Sequence, residues 1–93
     1  MKGTKFTDVV KEYARKLSEN DLRYLLMRFN QRIGADVAEA IEQLEQNGDI
    51  KHWLGVAKNA TEFFDMIDTV DQILQTESRR RFNVHESKER AAR

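Results

Sequence analysis

From Phe6 onward, apolar residues recur along the chain at helical spacing. Phe6, Val9, Val10, Tyr13, Ala14 and Leu17 fall at i, i+3, i+4, i+7, i+8 and i+11, a single stripe on a helix of about 3.6 residues per turn. The pattern predicts a first helix, with Thr7 as its cap and Asp8 adding favourable charge to the first turn. Ser18 stands three residues before Asp21, a capping-box spacing with Asp in place of Glu, and opens a second helix. Leu22, Leu25, Leu26, Phe29 and Ile33 form its stripe, and Gly34 is the expected C′ residue.

A third stripe, Val37, Ala40, Ile41 and Leu44, runs into Asn47-Gly48-Asp49. Asn-Gly is a hairpin signal only between alternating strands, and both flanks here have helical period, so it is read as a helix stop. Ile50, Trp53, Leu54 and Ala57 predict a short fourth helix capped by Asp49, with Trp53 assigned to the core beside Leu54 and Ile50. Asn59 and Glu62 have capping-box spacing ahead of Phe63, Met66, Ile67, Val70, Ile73 and Leu74, the stripe of a fifth helix. Periodicity is equally compatible with one long helix kinked near Gly55 or Asn59. From Arg79 the pattern fails: Phe82 and Val84 are the only large apolar residues up to position 93. The expectation is an all-α chain, a compact bundle or orthogonal array of four to five helices over residues 1–78. A flexible, basic C-terminal tail over residues 79–93 follows it.

Length and composition narrow the function classes. A chain of 93 residues and 10.9 kDa is one domain, with 40% hydrophobic and 34% charged residues. The absence of cysteine removes disulfides, thiolate metal sites and thiol nucleophiles together. No apolar run is long enough for a membrane span or signal-peptide core, so the expectation is cytoplasmic. The four glycines are isolated and build no phosphate loop, and no Gly-x-Ser-x-Gly elbow occurs. His52 follows Asp49 at i+3, a single partial motif where a di-metal bundle needs two Glu-x-x-His motifs and further carboxylates. Neither an enzyme nor a cofactor or metal is expected, and no small-molecule substrate. Asn59-Ala60-Thr61 matches the N-glycosylation pattern, but without a secretory signal it has no route to that machinery.

Sixteen basic side chains balance sixteen acidic ones, yet the charges fall in blocks. Residues 1–17 and 79–93 are basic, whereas residues 34–48 and 59–78 carry acidic side chains and no Lys or Arg. Glu39, Glu42 and Glu45 lie opposite the third stripe, and Asp65 and Asp68 opposite the fifth, with Asp71 nearer the edge. These are solvated faces or docking surfaces for a basic partner, including the basic tail of a second copy.

Two site hypotheses follow. The second helix carries Tyr24 and Met27 outside its core stripe, beside Arg23, Arg28 and Gln31, and Phe64 lies off the fifth stripe. Aromatic, Met and Arg side chains are enriched at interface cores, so these six residues nominate a protein interface. The leading expectation is therefore a small regulatory or adaptor module that binds another protein or self-associates into a homo-oligomer. The alternative is a nucleic-acid-associated regulator. Leu22 to Gln46 has the outline of a helix-turn-helix, but its second helix is acidic and would be repelled by a major groove. A basic surface of Lys11, Arg15, Lys16, Arg23, Arg28 and Arg32, with Arg79, Arg80 and Arg81 as an auxiliary arm, is the geometry left for nucleic acid.

Overall fold

The computed structural model describes the backbone of residues 5–31 and 33–91, and the side chains of these residues up to Phe82. Among the described residues five helices follow one another: α1 (Phe6–Lys16), α2 (Glu19–Gln31), α3 (Gly34–Leu44), α4 (Gly48–Gly55) and α5 (Ala60–Ala91). Each contributes to a single core of Val10, Ala14, Leu22, Leu25, Phe29, Ala40, Leu44, Ile50, Leu54, Ile67, Val70 and Leu74. These are the predicted stripes, and burying each large aliphatic or aromatic side chain stabilises the fold by roughly 1.5–3 kcal/mol.

The long fifth helix is the spine. At 1.5 Å per residue its 32 residues span about 48 Å, close to the 52 Å long dimension of the molecule. α1 packs on one flank of α5 and α2 on another, while α3 packs on α2 and α4 on α1. α2 runs in the opposite sense to α5. Its first residues Glu19, Leu22 and Arg23 border Ser78, Arg81 and Phe82, and its later Leu26, Met27 and Asn30 border Asp71 and Gln75.

Local hydrogen bonds set the boundaries. The Ser18 Oγ accepts the Asp21 N–H at 3.1 Å and starts α2. The Asn59 Oδ1 accepts the Glu62 N–H at 2.8 Å, and Glu62 reaches back to the Lys58 N–H at 3.0 Å. This reciprocal cap satisfies two amide donors at the start of α5, so α4 and α5 are separate helices rather than one kinked helix.

Four expectations are corrected. Lys5, with no side-chain cap, precedes α1, so Thr7 already lies inside the helix. Asn47, not Asp49, caps α4: its Oδ1 accepts the Ile50 N–H at 3.0 Å, and Asp49 sits within the first turn. Gly34 opens α3 instead of closing α2. Ile33, placed in the α2 stripe, instead flanks the start of α3 and is exposed. α5 itself runs on through the Arg run to Ala91.

Glu77 and Arg81 account for that continuation. Both extend the Ile67/Val70/Leu74 stripe at helical spacing, and Glu77 is 6% exposed, the one charged residue buried among those described. Its carboxylate accepts two bonds from Arg80, at 3.1 and 2.7 Å, and one from Arg81 Nε at 2.7 Å. The same Arg81 guanidinium donates to the carbonyls of Ala14 at 3.0 Å, Arg15 at 3.4 Å and Leu17 at 2.9 Å. Carbonyls in the last turn of α1 lack the usual i+4 amide partner, with Ala14 accepting only a longer bond from the Leu17 N–H at 3.3 Å, and a cation there also meets the negative end of the helix dipole. Arg81 thus ties the end of α1 to the spine by charge, where apolar periodicity has run out.

Candidate interaction surface

The six residues nominated for a protein interface fall into two places. Tyr24 and Arg28 face α3. The Arg28 guanidinium lies 4.7 Å over the Tyr24 ring, within cation–π range. It also donates to Asp36 at 2.6 Å and pairs with Glu39, both on α3. The hydrogen bond it donates to Asp36 raises the Arg28 guanidinium above its ordinary value against the cost of burial, with Glu39, Tyr24 and the Asp36 charge adding to the rise. Tyr24 is half-buried against the core. Its aromatic surface and the Arg28 charge are occupied within the subunit, and so is part of the acidic face of α3.

Met27 is the outward apolar residue of α2, 58% exposed at the rim of a groove of ≈ 490 Å³ lined by Leu26, Phe29, Asn30, Asp71 and Gln75. Phe64 is 56% exposed and touches Phe63 edge-to-face, with ring centroids 5.6 Å apart. Phe82, which the sequence reading left in the tail, is 63% exposed and borders Leu22 and Arg23. Phe64 and Phe82 are eighteen residues apart, five full helical turns, so they lie on one line along α5 about 27 Å apart. Asp71 and Gln75 fall within about 20° of that line. The surface is therefore a strip along α5 with an aromatic ring at either end, bordered by α2 from Phe82 to Asp71, with Met27 beside its middle. The signal that would have found Phe82 is this eighteen-residue spacing. Arg23 is exposed and held by Glu19 at 2.8 Å, and Gln31 is exposed at the last residue of α2.

The basic residues do not form the continuous surface that was expected. α1 and α2 lie on different flanks of α5, which separates Lys11, Arg15 and Lys16 from Arg23, while Arg28 is turned to α3. Lys11 and Arg15 do meet Arg80 around one groove between α1 and α5. Arg15 and Lys16 share Glu12, and Arg80 and Arg81 are engaged with Glu77. Arg79 is exposed and within 3.4 Å of Gln75. Arg32 lies outside the described residues.

Hydrogen bonds from Arg80 hold the Glu77 carboxyl below its ordinary range, opposed by burial and reinforced by Arg81. Trp53 is half-buried at the core's edge against Phe6, rings 6.0 Å apart. Among the described residues, no cluster of three or more His, Asp or Glu is placed to hold a metal ion, and no helix is long and apolar enough to cross a membrane. Compared with family models, curated proteins and solved structures, the chain finds no match.

Proposed function

We propose that this protein is a non-enzymatic helical interaction module that docks a protein partner through the α2–α5 strip. The observation that carries this reading is the exposure of Met27, Phe64 and Phe82 along one strip of α5 and its border with α2, whereas the other exposed large apolar residues, Ile33 and Val56, flank the ends of α3 and α4. More than half of each of these three side chains stays exposed after its contacts within the subunit, and Met and aromatic groups at the centre of a patch are typical docking anchors. Tyr24 and Arg28 then act as the internal support that fixes α2 against α3. The acidic and basic blocks of α5 add orientation and speed of encounter more than affinity.

The test is a photoreactive amino acid introduced at Met27 and, separately, at exposed Lys51 on α4. Protein adducts concentrated at position 27 are expected, formed with the chain itself or with another protein. Equal adduct yields at the two positions would overturn the reading.

The convergence of Lys11, Arg15 and Arg80 favours one second reading, a nucleic-acid-associated regulator that uses the α1–α5 groove. It predicts that a random oligonucleotide binds, that binding falls steeply with added salt, and that Lys11→Glu or Arg15→Glu abolishes it. Light scattering with and without the oligonucleotide separates the two.

A further inference from the structure

The α2–α5 strip has a pattern that its own reversed copy complements. Reading α5 from either end about Ile73, Phe64 exchanges with Phe82 and Asp71 with Gln75. Asp68 comes to the level of Ser78 and Arg79. The aromatic ends are alike, and the charges inside them are opposite: Asp65, Asp68 and Asp71 in the first half, Arg79 in the second. Among the described residues, no cation lies within ion-pair distance of those three aspartates, and Arg79 pairs with no carboxylate.

We propose that the strip docks a second copy of this chain, antiparallel about a two-fold axis at the level of Ile73. Phe64 of each copy then packs against Phe82 of the other, and Asp68 faces Arg79. This rests on the docking reading above and names its partner.

Three geometric points support it. A two-fold interface uses the same patch on both copies, so the patch must complement itself, and this one does. Side chains on the same side of two antiparallel helices meet across the axis. Asp68 and Arg79 both lie on the side of the Phe64–Phe82 line away from α2, so the symmetry brings opposite charges together. Parallel pairing would set Asp68 against Asp68 and Arg79 against Arg79, which like-charge repulsion disfavours. Met27 borders Asp71 and Gln75, close to the axis, so the two Met27 side chains come together at the centre. Flexible thioethers suit that position, because each adapts to an identical neighbour. The outcome is a four-helix layer of α2 and α5 from each copy.

The chain has no cysteine, so site-directed disulfides give a clean test. Chains with Phe64→Cys alone and chains with Phe82→Cys alone are oxidised separately and then as a mixture. The antiparallel register predicts cross-linked dimer in the mixture only. In either variant alone the two sulfurs lie about five helical turns apart, whereas a disulfide needs Cα atoms within about 7 Å. Sedimentation velocity supplies the second measurement. Asp68→Lys or Arg79→Glu alone raises the dimer dissociation constant about tenfold, and the two together in one chain restore it, since the pair is reversed in both copies. Cross-linking within either single variant oxidised alone overturns the register. A chain that stays monomeric at every concentration overturns the second copy as partner. If adducts at position 27 with another protein persist in that case, the docking reading stands without this inference, and if they vanish both fall.

Discussion

Glu77 and Arg81 concentrate the fold's electrostatics in a few atoms, and their removal has separable signatures. Replacing Arg81 by Met keeps the aliphatic stem but leaves the last carbonyls of α1 and one bond to Glu77 without their donor. Losing a charge-assisted contact of this kind costs about 2 kcal/mol, read as a lower urea midpoint with an unchanged slope. Glu77 makes stability depend on pH. Its folded carboxyl holds a proton less readily than an unfolded Glu, whose pKa is about 4.3, so its contribution is complete above about pH 5. The contribution is lost as pH falls through the ordinary carboxylate range toward the depressed folded value. Glu77→Gln is therefore less stable than the parent at neutral pH, and its urea midpoint declines less steeply between about pH 5 and pH 3. A parallel decline in the two chains would place the acid sensitivity elsewhere.

At the level of helices, two asparagines mark the entries to α4 and α5. Asn47→Ala leaves the Ile50 N–H without its acceptor, and Asn59→Ala does the same at Glu62, each costing about 1 kcal/mol in thermal or urea unfolding. Asp49→Ala, at the position the sequence suggested as the α4 cap, changes stability by less than either. Why that suggestion missed is instructive. Asn47 and Asp49 are both capping residues, and choosing between them requires knowing where the chain turns, which the packing of Leu44 and Ile50 decides. The five stripes were legible because apolar spacing and burial report the same physics. Gly34 was misplaced because a glycine between helices suits the end of one and the start of the next alike. The passage of α5 beyond residue 78 was hidden for a different reason. Its next inward positions are Glu77 and Arg81, which apolar periodicity counts as failure although they complete each other and α1. A charged residue on an otherwise apolar stripe, with Arg at i+3 and i+4, was the available signal. The same separation applies to the strip: Met27 and Phe64 stood out as apolar residues off their stripes, whereas the use of Arg28 and Tyr24 against α3 depends on a contact eight residues along the chain.

Across the whole molecule, the core and the seam should respond oppositely to substitution. Leu74→Ala empties a fully buried site at the middle of the spine and costs about 2–5 kcal/mol by chemical denaturation. Phe64→Ser and Phe82→Ser leave the unfolding free energy of the isolated subunit within about 0.5 kcal/mol, because both rings already face solvent, and change association instead. A large loss of stability in either serine variant would place its ring in the core. The Arg81 clasp also fixes an order of events during synthesis. Its carbonyl acceptor on Ala14 precedes it by 67 residues. At about 5–20 residues per second a ribosome takes roughly 3–13 s to travel that distance. For that interval the end of α1 lacks the Arg81 donor, so α1 is clasped to the spine only after α2, α3 and α4 have all been made.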